Sequence, residues 1–136
     1  MTGQFSTASL KTKLKAALPF PIAIAAWIVP GLGHALLRRW PRALGFFLAA
    51  AGLAMAGCIL RGEIFSWHSG GTFGSLGFIA DAGAGIFYFA ARILETGGPD
   101  ISRAAGDSGT KFIAAAGIAN LLGVLDAYGV ASGRKA

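Results

Sequence analysis

The sequence lacks most of what a water-soluble protein needs. Charged residues make up only 13% of its 136 residues and its mean hydropathy is +0.62. Soluble domains carry about 25% charged residues, so this chain has too few polar side chains to cover a water-facing surface. Cysteine occurs once, at Cys58, which excludes an internal disulfide and any Cys-x-x-Cys metal or redox motif. The two histidines, His34 and His68, are far apart in sequence, and neither has the i+3 or i+4 partner of a helix-borne metal site. Neither a phosphate-binding loop G-x-x-x-x-G-K-[ST] nor a nucleophile elbow G-x-S-x-G is present. Acidic residues number six against twelve Lys and Arg. The cations sit in short clusters at the ends of apolar runs, which speaks against nucleic-acid binding and matches membrane-flanking charge.

What is present is apolar and segmented. Residues 1–19 read as a basic amphipathic segment. Leu10, Leu14, Ala17 and Leu18 recur at helical spacing, Ser9 is available as a cap, and Lys11, Lys13 and Lys15 occupy other positions, which predicts a short interfacial helix. Its lysines are expected to attract anionic lipid headgroups, at roughly 1 kcal/mol each. A cleaved signal peptide is the rival reading, but Pro19, Pro21 and Pro30 interrupt the apolar stretch such a signal needs. Residues 20–136 then form one membrane bundle with apolar runs at 20–37, 43–60, 73–91 and 112–131. The run 43–60 is uncharged and bounded by Arg42 and Arg61. At about 1.5 Å per residue it just reaches across a hydrocarbon core of about 30 Å. Asp81 and Asp126 are the sole charges within the last two runs, at a cost of about 2.5–3.5 kcal/mol each at a helix centre. Residues 61–72 and 95–110 read as connections.

The first run holds Pro30, Gly31 and Gly33, the chemistry of a tight reversal. Four crossing runs would divide the twelve cations six and six. A first hairpin that dips in and returns leaves three spans and puts nine cations on one side against three, a clear positive-inside bias. The expected fold is therefore an all-α integral membrane bundle of three spans plus a re-entrant or Pro-kinked first hairpin, with four spans as the alternative. Its N-terminus is expected in the cytoplasm.

The ionisable groups within the runs are the candidate site residues, because buried polar groups in a membrane bundle mark packing or a functional path. Asp81 shares a helical stripe with Gly77 and Gly85, and Asn120, His34 or Arg92 are its candidate partners. Asp126 lies near enough to the end of its run to pair with a basic side chain, and Asn120 reads as an interhelical hydrogen-bonding group. His34 is expected to bond the freed backbone of the turn, and it is a weak candidate ligand for a tetrapyrrole or other pigment; no cofactor is otherwise expected. Ala115, Ala119, Gly123 and Ala127 form a small-residue stripe that predicts close helix packing.

Pro-Gly-Leu-Gly-His at Pro30–His34, followed by Arg38, Arg39 and Ala-Leu-Gly-Phe-Phe at Ala43–Phe47, resembles small bacterial two-transmembrane-type domains, with Leu36 where those have tyrosine and Arg38 where they have glycine. Asn120–Tyr128, with Gly133–Lys135, is similar to an uncharacterised family of short bacterial membrane proteins. The resemblance implies a protein of the bacterial inner membrane and assigns no activity. Short loops, few ionisable groups and small-residue faces lead to the expectation of a non-catalytic scaffold or accessory subunit, partnered by the lipid bilayer and by other membrane subunits or further copies of itself. The alternative is an oligomeric transport or proton-conducting element using Asp81 and the Pro30–Gly33 break. A lipid-modifying enzyme built on Glu63 and His68 is a third, weaker reading.

Overall fold

The structure, a computed structural model, describes residues 7–68, 70–95 and 104–135. Expectations for residues 1–6, for the Lys15 side chain and for 96–103 lie outside the described residues. The described residues contain seven helices and no strand: α1 (Thr7–Ala17), α2 (Pro19–Ile28), α3 (Leu32–Leu36), α4 (Trp40–Ile59), α5 (Gly71–Ala82), α6 (Ile86–Leu94) and α7 (Ala104–Ala131).

Helices α4 and α7 are each long and apolar enough to cross a membrane. They pack antiparallel: Gly57 near the finish of α4 lies against Gly109 and Ile113, and Phe46 near its start covers Gly123. The bundle thus has a first end, where α4 begins and α7 finishes, and a second end, where α4 finishes and α7 begins. Helix α7 starts at Ala104, so the connection expected over 95–110 is helical from that point. Every interior backbone N–H and C=O is satisfied inside the helix wherever a run is unbroken, and α4, with Pro41 confined to its first turn, keeps that regularity throughout.

The other two runs are broken. Pro30 pushes Val29 into an extended conformation, with φ −121° and ψ 113°, because the ring clashes with a preceding helical residue. Gly31 then takes φ +82°, a left-handed conformation that suits glycine. Gly33 is not part of the corner: it sits within α3, where a Cβ would lie 2.6 Å from that of Ala26 and 3.1 Å from the Ile22 carbonyl oxygen. The chain therefore returns along α2 to the first end, and Gly33 serves close approach. Arg38, in the turn that follows, has φ +59°.

The run 73–91, expected as one continuous helix, is bent by 109° between α5 and α6. Gly85 supplies the corner at φ +61°. Helix α5 runs along α7, with Gly117 pressed to the Ala80 carbonyl and Gly83 against Leu121. Helix α6 heads back to the second end, where Ala91 packs with Ile64 and Ile113. With the pair bent in this way, α7 finishes at the same end of the bundle at which α2 begins, and two helices, or three spans if the bent pair counts as one, are long and apolar enough to cross a membrane.

The interior is made of small residues. Ala26, Ala43, Ala50, Ala54, Ala84, Ala91, Ala116 and Ala127 are buried, while Phe20, Met55, Ile59, Phe73 and Ile93 are exposed. Such an inversion suits a bundle surrounded by lipid, in which tight backbone packing holds the helices.

Candidate functional site

The tips of the two hairpins meet halfway along the bundle, beside α7. Gly85 lies so close to the carbonyls of Trp27 and Ile28 that a side chain there would overlap them. Trp27 Nε1 donates to the Ala82 carbonyl at 3.0 Å, tying the finish of α2 to the finish of α5. Asn120 Nδ2 donates twice, to the Trp27 carbonyl at 3.0 Å and to the Gly83 carbonyl at 2.8 Å. The last carbonyls of a helix have no partner within it; the Asn120 amide caps those of Trp27 and Gly83, while the Ala82 carbonyl takes the Gly85 N–H at 3.2 Å as well as the Trp27 indole. Both α2 and α5 present their C-terminal ends here, each carrying about half a negative charge. Asn120 is 1% exposed, and its Oδ1 has no hydrogen-bond partner.

Asp81, fully buried, lies one turn before the second corner. Its Oδ2 accepts the Phe65 N–H at 2.8 Å, and Oδ1 is without a partner. None of the partners expected for it, Asn120, His34 or Arg92, is the one it uses. Phe65 belongs to the irregular stretch 62–66, which dips from the second end into the bundle; Tyr88 donates its hydroxyl to the Phe65 carbonyl at 3.4 Å. Gly77 packs on the Phe65 ring rather than on a helix, and the corner takes Gly85 off the stripe it was expected to share with Asp81.

At the first end a carboxylate gathers three donors. Asp126 accepts from Lys135 Nζ at 2.9 Å and Arg42 at 3.3 Å, and pairs with His34 Nε2 at 2.9 Å. His34 is fully buried, stacked on Phe46 with ring centroids 5.0 Å apart. It therefore bonds Asp126 and not the backbone of the turn. Its Nε2 is thus engaged by Asp126, one ring face is covered by Phe46, and its Nδ1 is buried without a partner. Among the described residues no three of His, Cys, Asp and Glu come together to hold a metal ion.

The packing face of α7 is Ile113, Ala116, Gly117, Asn120, Gly123 and Ala127. Of the expected stripe, Gly123 and Ala127 lie on it, while Ala115 and Ala119 are half-buried at its edge. A spacing of four residues advances about 40° beyond a full turn at each step, so a strict i+4 series drifts off a straight contact line.

Trp27, Phe65, Arg42 and Lys135 are site residues that the sequence reading did not single out. A tryptophan at the finish of an apolar helix, two residues before Val29, was the available signal, since an indole N–H in an apolar surrounding needs an acceptor. Phe65 acts through its backbone and leaves no mark in the sequence. His34, Asn120 and Asp81, the buried polar residues of the described chain, are thus spread in that order from the first end, through the hairpin tips, towards the second. No curated protein and no solved structure matches the chain. Residues 21–136 do match a family of unknown function, DUF6677, and the chain belongs to that family.

Proposed function

We propose that the protein is a membrane transport element of the bacterial inner membrane, crossing the bilayer with α4 and α7. In this reading α2–α3 and α5–α6 are re-entrant hairpins that enter from opposite faces and meet at mid-depth. The observation that carries it is the convergence of two helix breaks on Asn120. Interrupted backbone in hydrocarbon costs several kcal/mol per unsatisfied group and persists only where protein buries it or a water-filled path runs beside it. Paired half-helices with their ends at the midplane are the arrangement by which transporters build binding sites. Asp81 and His34, each with an open polar atom buried on either side of the tips, supply the polar stations such a path requires.

Flux across liposomes containing the purified protein tests this. Expected is a dye-reported ion or proton flux above that of empty liposomes, reduced about tenfold or more by Asp81→Asn. Flux no greater than in empty liposomes, with insertion confirmed by protease protection, overturns the reading.

The scaffold or accessory reading retains one supporting observation. An open groove beside α4 and α7, lined by Leu53, Ser108, Lys111, Phe112 and Ala115, continues the half-buried small face of Ala115 and Ala119. Small residues at a helix surface let another helix approach closely. Co-purification of a stoichiometric membrane partner in mild detergent, lost on Ala115→Leu, supports that reading; an isolated monomer under the same conditions removes it.

A further inference from the structure

We infer that Asp81 is a proton-binding carboxyl, loaded and unloaded from the second end of the bundle past the stretch 62–66. This rests on the transport reading and names the proton as its cargo.

The side chain is defined by what it lacks. Asp81 is fully buried, and no lysine or arginine is among the buried residues of the described chain. Its Oδ2 accepts the Phe65 N–H, while Oδ1 is buried without a partner. An ionised carboxylate in such surroundings has lost its water and gained no countercharge, so the group keeps a proton instead. With Oδ2 engaged as an acceptor, that proton belongs on Oδ1, where it is an O–H donor with nothing to receive it. Burial therefore favours the neutral form, and no acceptor locks the proton in place. A metal cation needs several oxygens to replace its hydration shell, and Asp81 offers one free oxygen. A proton needs only one.

The second observation is the nature of the cover. The stretch 62–66 has no helix or strand of its own, and it is held by single hydrogen bonds from three directions. The Glu63 N–H donates to the Thr110 hydroxyl at 2.8 Å, the Phe65 N–H to Asp81 at 2.8 Å, and the Tyr88 hydroxyl to the Phe65 carbonyl at 3.4 Å. The Phe65 ring closes over Gly77. Irregular backbone at membrane depth persists where protein buries it or where it lines a watered path, and water can replace each of these bonds in turn. When Phe65 moves aside, water from the second end reaches Oδ1. The O–H bond breaks, its electron pair stays on the carboxylate, and water takes the proton; reloading reverses the step. The titratable groups that adjoin the arrangement are Glu63 on the stretch, whose charge has the sign of an ionised Asp81, Tyr88 on α6, and Cys58 on α4, which packs on the cluster of Ile64, Ala91 and Ile113. Helix α7 contributes Thr110 and Gly117, which do not titrate.

The test is infrared spectroscopy of the full-length protein in lipid, following the C=O stretch of protonated carboxyl groups in H2O and D2O over a pH series. Expected at neutral pH is a band that shifts on transfer to D2O, is lost reversibly as the pH rises, and is missing from Asp81→Asn. Glu63→Gln is expected to retain it. Gly77→Ala, whose methyl group displaces the Phe65 ring, is expected to speed the D2O shift about tenfold by easing local opening. Absence of an Asp81-dependent band at neutral pH overturns the proposal, as does a band that neither shifts in D2O nor titrates, or a D2O shift that keeps its wild-type rate in Gly77→Ala. If Asp81→Asn fails to fold, Asp81→Glu decides in its place: a band moved in frequency supports the assignment, and one left unmoved belongs to another carboxyl and overturns it. A titrating, exchangeable band in a protein without flux removes the transport reading and leaves the proton site standing; flux in a protein without such a band does the reverse.

Discussion

Asp126 shows how unequal the members of one polar cluster are. Arg42 and Lys135 reach it from the surface with side chains 46% and 59% exposed, while the His34 side chain is 0% exposed. Solvent screens the first two pairs, which are worth up to about 1 kcal/mol each. A buried ring nitrogen left without its partner costs about 1–3 kcal/mol. Asp126→Ala is therefore expected to destabilise the protein by about 2–4 kcal/mol, and Lys135→Ala and Arg42→Ala by no more than about 1 kcal/mol apiece. Chemical unfolding in mixed micelles compares them, and a Lys135→Ala loss equal to that of Asp126→Ala contradicts the ranking. Arg38 is a separate case. It holds φ +59°, at the position where the motif it resembles carries glycine, and a left-handed conformation costs a residue with a side chain about 1–2 kcal/mol. Arg38→Gly relieves that strain but adds freedom to the unfolded chain, for an expected net gain of about 0.5–1 kcal/mol in the same unfolding assay. A loss of stability there contradicts the account of the turn.

Among the helices, contact distance sets the order of glycine tolerance. Gly117 lies where α7 crosses α5 with the Ala80 carbonyl against it, and Gly85 forms a left-handed corner against the Trp27 carbonyl. Gly45 and Gly52 on α4 face open space. Gly117→Ala and Gly85→Ala force α5 and the hairpin tips apart, with an expected loss of about 3 kcal/mol or more, the scale of overpacking joined to backbone strain. Gly52→Ala is expected to be neutral or to gain up to about 1 kcal/mol from helix propensity. Detergent-solubilised yield and thermal midpoint read the contrast, and comparable losses at Gly52 and Gly117 refute it. The same elements show how far the sequence is legible. The apolar runs, the corner at Pro30–Gly31 and the association of Asp126 with basic side chains follow from local chemistry. The break at Gly83–Gly85 does not, because Gly-Ala-Gly in an apolar run is compatible with a continuous span, and what decides is the carbonyl of Trp27, more than fifty residues away. The Asp81–Phe65 bond is illegible for the same reason: its donor is a backbone N–H, which every residue but proline carries.

For the molecule as a whole, the distribution of charge along the bundle bears on its orientation. Towards the first end lie Lys11, Lys13, Arg38, Arg39, Arg42, Arg134 and Lys135, with Asp126 as the only carboxylate among the described residues there; the second end has Arg61, Arg92 and Lys111 together with Glu63, Glu95 and Asp107. Counting Lys and Arg alone, as the positive-inside rule requires, we propose that the first end faces the cytoplasm. If both hairpins are re-entrant, only α4 and α7 cross, and residues before α2, in the α3–α4 turn and after α7 must share one face of the membrane. Single cysteines placed at Ser9, Arg38, His68 and Arg134 in a Cys58→Ala background, labelled with a membrane-impermeant maleimide in inside-out and right-side-out vesicles, test each crossing separately. Positions 9, 38 and 134 are expected to react from the cytoplasmic face and 68 from the opposite one. Position 9 opposite 38 makes the first hairpin a full span, and 134 opposite 38 makes α5 and α6 one bent span. Either outcome moves one tip away from the midplane and with it the physical basis for a shared site at Asn120.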